Sequence, residues 1–175
     1  ELVRSLGLRA VIHPHAGTFL ETDAEIEATV NALDPSLVGL CLDTGHYRFG
    51  GGDPAEAVRK HAGRIWHVHF KDYEPTLAAR SRELGWDYLE SVRRGVFCEL
   101  GRGEVDFPGV LAGLKQCGYQ GWIVVEQDQR FLGGETVGEM MDRVHPAIER
   151  LRAQPEWDTI LLVLHGGVNC AILSL

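Results

Sequence analysis

The chain has 175 residues, with 17 Lys+Arg against 25 Asp+Glu, a formal charge of −8, and 45% hydrophobic and 24% charged residues. That balance is ordinary for a soluble globular chain, and without a basic cluster it excludes a phosphate-backbone binder, so neither DNA nor RNA is an expected partner. No apolar run approaches the roughly 20 residues that span a bilayer, and the opening ELVRSLGLRA lacks a signal peptide's apolar core, so no membrane partner and a cytoplasmic setting are expected.

Residues 9–13 form a short apolar run closed by Pro14, the pattern of a buried strand leading into a loop. A helix is predicted over 23–33, with Thr22 or Asp23 as N-cap, Ile26, Val30 and Leu33 on one face, and Asp34-Pro35 as its stop. Val38 to Leu42 is the next strand, ending in Asp43-Thr44-Gly45-His46, and after a Gly-rich loop Asp53-Pro54 starts a helix. Residues 65–70 form a strand, a single helix is predicted over about 77–93, another over 107–116, and a strand over 122–126. This alternation implies parallel strands covered by helices, an α/β fold. The segment from Lys71 to Asp106 exceeds what a simple connector needs and suits a lid or wall. A long amphipathic helix to about Ala153 and a strand over 159–164 follow, and both chain ends read as cut. Cys41, Cys98, Cys117 and Cys170 are irregularly spaced without a C-x-x-C pair, the pattern of reduced thiols.

Chemistry gathers at the strand C-termini: His13 and His15, then Asp43 and His46, then His67 and His69 with Lys71-Asp72, then Glu126. In parallel α/β folds those ends converge on one pocket, and alternation puts His67 and His69 on one side of their strand. Imidazoles and carboxylates from separate strands are the ligand set of a divalent metal, with Mn²⁺, Co²⁺, Zn²⁺ or Fe²⁺ favoured over Mg²⁺. Asp43 equally suits an Asx turn or helix cap, since Thr44-Gly45 follow it, and Glu126 suits a strand-end surface carboxylate.

The stretches His13-Pro14-His15-Ala16-Gly17-Thr18, Leu42-Asp43-Thr44-Gly45-His46, His67-Val68-His69-Phe70-Lys71-Asp72, Gly95 to Phe107 and Gly118 to Glu126 together resemble the C-terminal half of the inosose dehydratases. These enzymes are xylose isomerase-like TIM barrels, a group that includes sugar isomerases and epimerases. The resemblance covers residues 1–128 and implies half a TIM barrel, four strands where a closed barrel needs eight. It implies a metal, Mn²⁺ or Co²⁺, on Asp43, His69 and Glu126 with His13 as a further ligand. Lys71 and His46 would be catalytic, and His15, His67 and Glu99 would bind substrate. The implied reaction is loss of water from a cyclic keto-polyol, 2-keto-myo-inositol, through an enediolate, as in inositol catabolism. A sugar or hydroxy-keto-acid isomerase or epimerase is the alternative, and a truncated or fused remnant without activity is the other. An open four-stranded piece would self-associate through its free sheet edge.

Residues 129–175 differ. Arg130 to Thr136 with Arg143, and Leu161 to Asn169, resemble the histidine phosphatase (phosphoglycerate mutase-like) superfamily, and that resemblance puts His165 on phosphate. The superfamily's Arg-His-Gly nucleophile motif is absent, so the tail is expected to be a fragment without phosphatase activity.

Overall fold

Short apolar runs bounded by turn residues give strands too brief to stand alone, and helices cover one face of the sheet they form. The structure, a computed structural model, describes residues 2–126 and 128. In chain order it contains α1 (Leu2–Ser5), β1 (Ala10–Ile12), α2 (Asp23–Ala32), β2 (Val38–Asp43), α3 (Thr44–Phe49), α4 (Pro54–Lys60), β3 (Ile65–Phe70), β4 (Asp72–Tyr73), α5 (Pro75–Leu84), α6 (Tyr88–Arg93), β5 (Phe97–Cys98), α7 (Phe107–Gln116) and β6 (Ile123–Val125). The helices begin where side chains satisfy free backbone N–H groups: Thr22 and Glu25 form a capping box on α2, and Asp53 caps α4 ahead of Pro54. Among the described residues no helix is long and apolar enough to cross a membrane, and Cys41, Cys98 and Cys117 are free thiols. The 129–175 tail, with His165, its predicted helix and its predicted strand, lies outside the described residues.

β1, β2, β3 and β6 form one sheet in that order, with every pairing parallel. This is the expected partial α/β barrel, and among the described residues it is not closed. Leu40, Leu42, Val68 and Phe70 point to the helix layer, where Ile26 and Val30 of α2, Val58 of α4, and Val110 and Leu114 of α7 cover them. Each such burial contributes about 1.5–3 kcal/mol. Gly113 lets α7 approach α4, since a Cβ there would stand 3.0 Å from Val58 Cγ1.

The opposite face carries the alternate residues, and a slip in register sets their phase. Leu40 lies beside Ile65 but Cys41 beside His67, so Trp66 is an extra residue in β3. Its indole lies against Gly39, where a Cβ would collide with the ring, and the Arg9 guanidinium stacks on it at 4.0 Å. Beyond this bulge Cys41 and Asp43 stand beside His67 and His69.

The long segment after β3 forms a separate wall. β4 pairs antiparallel with β5, and Tyr73, Ala78, Val96, Phe97 and Val105 form a second apolar cluster with Ala16. The single helix expected over 77–93 is instead two. Gly85 takes a left-handed conformation (φ 64°) that ends α5, and the Asp87 side chain then accepts from the Glu90 amide at 2.8 Å to start α6. Fully buried Asp72 anchors the wall's last loop: its carboxylate accepts from the amides of Tyr73 (2.8 Å), Gly101 (2.8 Å), Gly103 (2.9 Å) and Val105 (3.2 Å).

Asp72→Ala strands these four donors, so denaturant titration is expected to show a loss of about 3 kcal/mol or more; a loss under about 1 kcal/mol would contradict the anchoring role. A second expectation concerns acid. Tyr47 Oη donates to Asp23, and Lys60 Nζ donates to it at 2.9 Å, which together hold its carboxyl below the usual aspartate range. A lowered folded pKa stabilises above the unfolded value and the contribution vanishes as pH falls through the folded one. The stability gap between the wild type and Asp23→Asn should therefore narrow as pH drops below about 4, and a gap that stays constant would contradict this.

Candidate metal centre

Two residues at strand ends and two just beyond strands deliver the site. His13 follows β1, Asp43 ends β2, His69 lies near the end of β3, and Glu126 follows β6. One ligand atom from each of these four residues lies within 4.8 Å of all the others. His13 Nε2 stands 3.7 Å from Asp43 Oδ2, His69 Nδ1 stands 3.6 Å from the same oxygen, and His69 Nδ1 is 2.8 Å from Glu126 Oε2. His13 Nε2, Asp43 Oδ2 and His69 Nδ1 are buried, and none of them has a hydrogen bond among the described residues. Buried polar atoms left this way are costly unless a ligand completes them. A cation fits this donor set, because all three atoms donate electron pairs once His69 loses its proton.

Asp43 is also the helix cap that its sequence allowed. Its Oδ1 accepts from the His46 amide at 2.8 Å at the start of α3, while Oδ2 faces the imidazoles. Burial works against its charge, but His13 and His69 hold its carboxyl well below the ordinary range. Burial likewise opposes charge on His69, yet Asp43, Cys41 and Glu126 push its pKa up to about 11.

Beside this set lies a buried ammonium. Lys71 is fully buried, and its Nζ is 2.8 Å from Asp128 Oδ2, 3.0 Å from His46 Nε2, 3.6 Å from Glu126 Oε2 and 3.7 Å from Asp43 Oδ2. Desolvation opposes the charge, and Asp43, Asp128 and Glu126 outweigh it to raise the Lys71 pKa. The lysine backbone is fixed to α3, since the Thr44 hydroxyl donates to its carbonyl at 2.7 Å and accepts from its amide at 2.9 Å. His46 is the opposite case: burial drives its pKa down to about 2, so the ring is neutral. Lys71 Nζ at 3.0 Å faces its Nε2 and the Ala16 amide at 3.3 Å faces its Nδ1. A neutral ring has one N–H and can accept at only one nitrogen, and the shorter, charge-assisted bond from Lys71 is the one it keeps.

The substrate-side candidates divide. His15 stacks on His46 (centroids 3.8 Å) and meets Tyr88 edge-on at 5.1 Å. His67 lies 5.1 Å from His69, on the same face of the sheet. Glu99 is exposed in the turn after β5, and no hydrogen bond or ion pair joins it to the cluster among the described residues. Two participants were not singled out from sequence. Asp128 is buried against Lys71, and the Tyr88 hydroxyl donates to it at 3.4 Å. Asp128 was detectable as a second carboxylate two positions past Glu126, whereas Tyr88 reaches the site only through the fold of the wall.

Gly45 makes the lysine's position testable, because a Cβ there would lie 2.6 Å from Lys71 Cγ and 2.8 Å from its Cβ. Gly45→Ala should cost about 1–3 kcal/mol of stability by overpacking this buried stem. An unchanged unfolding midpoint would contradict the close contact.

Comparison with known proteins agrees with this architecture. The xylose isomerase-like TIM barrel family matches residues 1–154. The inosose dehydratase of Geobacillus thermodenitrificans (strain NG80-2) is 40% identical over 129 residues, 74% of this chain and 43% of that relative. The rhizopine catabolism protein MocC of Rhizobium meliloti is also 40% identical over 129 residues, 74% of this chain and 39% of its own length. The chain thus spans less than half the length of these relatives. Among solved structures, the IOLI protein with a binding zinc atom has a TM-score of 0.59 at 18% identity, over 90% of this chain and 53% of that one. The probable 3-DHS dehydratase AsbF from Bacillus anthracis has 0.58 at 16%, over 82% of this chain and 52% of that one. The chain belongs to the xylose isomerase-like TIM barrel family.

Proposed function

We propose that this chain provides a divalent-metal site for removing water from a cyclic keto-polyol such as 2-keto-myo-inositol. His13, Asp43, His69 and Glu126 are its ligands, and Lys71 with His46 handles protons. The observation that carries this is the convergence of four ligand atoms within 4.8 Å beside a fully buried lysine. The inosose dehydratase relatives support the substrate class. Mixed nitrogen and oxygen donors suit Mn²⁺ or Co²⁺. When bound, such a cation polarises the substrate ketone as a Lewis acid and makes the neighbouring C–H more acidic.

Dehydration beside a ketone takes a proton from carbon and gives one to the departing hydroxide. Lys71 Nζ and His46 Nε2, 3.0 Å apart, form one proton store. Lys71 as the amine takes the proton from carbon and as the ammonium gives it to the departing hydroxide, while the neutral His46 ring orients Nζ by accepting from it. The proton removed from carbon equals the one delivered to hydroxide, so the pair ends as it began. Asp128 holds the ammonium in place, and the rings of His15 and His67 flank the site to meet substrate hydroxyls. Glu99, exposed beyond β5, has no part in this scheme.

The full chain, stripped with chelator, reloaded with Mn²⁺ and given 2-keto-myo-inositol, is expected to form a product lighter by one water. Activity should vanish on chelation, and Asp43→Asn and Lys71→Met should each lower turnover by roughly 10²–10⁴-fold. A product of unchanged mass would make the chain an isomerase or epimerase using the same proton removal. Loaded protein without turnover of any kind would refute the proposal.

A further inference from the structure

The inner face of β2 carries one more donor that the four-ligand set leaves out. Cys41 lies two residues ahead of Asp43, so its thiol points to the same face, roughly 6–7 Å further from the strand's C-terminal end. It is 1% exposed and stands beside His67 in the sheet register. Its sulfur and one nitrogen each of His13 and His69 all lie within 4.8 Å of one another. His13 and His69 are therefore common to two donor groups. One is completed by the oxygens of Asp43 and Glu126, and the other by the sulfur of Cys41. Asp43, its side chain fully buried, keeps Oδ2 without a hydrogen bond among the described residues, and His13 Nε2 and His69 Nδ1 are in the same condition.

Sulfur and oxygen donors select different ions. Thiolate is a soft ligand that favours Zn²⁺ and Co²⁺, whereas carboxylate oxygen suits Mn²⁺ and Mg²⁺. A thiol that meets such an ion gives up its proton to solvent and binds as thiolate.

We propose that Cys41 gives the centre a second binding mode, in which a thiophilic ion sits deeper in the sheet on His13, Cys41 and His69, while a hard ion stays on His13, Asp43, His69 and Glu126. The proposal rests on the metal-site reading above and extends it: the identity of the ion decides its position relative to Lys71. In the deeper mode the ion lies away from the ammonium and from the carboxylates at the strand ends, so Mn²⁺ and Zn²⁺ forms of this chain are not equivalent.

The test uses the full chain in three forms: wild type, a variant with Cys98, Cys117 and Cys170 all changed to Ser, and Cys41→Ser. Co²⁺ titration followed in the near ultraviolet reports sulfur-to-cobalt charge transfer, and electron paramagnetic resonance reports Mn²⁺ binding. The wild type and the form retaining only Cys41 should both develop the charge-transfer band. Cys41→Ser should lose it and bind Co²⁺ roughly tenfold or more weakly, with Mn²⁺ affinity held within about twofold. The form retaining only Cys41 decides the question even where Cys41→Ser is too unstable to load. Co²⁺ bound without the band, alongside normal Mn²⁺ binding, would overturn the second mode and leave the four-ligand site intact. Failure of both ions to bind would overturn the two together.

Discussion

The carboxylate of Asp43 is shared between the backbone and the site, and the geometry of the strand-end face follows from that sharing. One oxygen accepts from the His46 amide and so starts α3 directly at the end of β2. The other stands between His13 and His69 and within 3.7 Å of Lys71 Nζ. Because α3 begins there, Thr44 reaches the Lys71 backbone, Gly45 packs on the lysine stem, and His46 turns its ring to the ammonium. A helix cap and a proposed metal ligand in one side chain couple local chain direction to the chemistry.

Burial then sets the charge states. Lys71, Asp43 and Asp128 are all nearly or fully withdrawn from water, and such groups persist only when they compensate one another. The Phe97 ring, 5.1 Å from Lys71 Nζ, closes the side toward the wall, and Asp72 fixes the loop behind it. The helix-side core of Leu40, Leu42, Val68 and Phe70 stands on the other face of the same strands. The apolar layer therefore stabilises the sheet on which an intrinsically costly charged cluster is held.

The parallel order of the strands, the starts of α2, α4 and α7, and the gathering of His13, Asp43, His69 and Glu126 were legible because each rests on a local pattern: a short apolar run, a cap, a polar strand end. What escaped depends on partners distant in sequence. The bulge at Trp66 corrects the phase of β3, yet nothing in the run of residues 65–70 announces an unpaired position. β4 and β5, two residues each, are too short to show a period. The break between α5 and α6 did have a signal in Gly85-Trp86-Asp87, but the helical spacing on either side masked it. Glu99, given by the family resemblance rather than by a local pattern, is exposed just after β5.

In the proposed centre, two imidazoles and two carboxylates from four successive sheet strands hold one divalent ion. The most direct measurement is pulsed electron paramagnetic resonance of the Mn²⁺-loaded full chain with ¹⁵N-labelled histidine. The account predicts couplings from two directly bound imidazole nitrogens, one lost in His13→Ala and one in His69→Ala. A Mn²⁺ signal without bound nitrogen, or one unchanged in both variants, would contradict it.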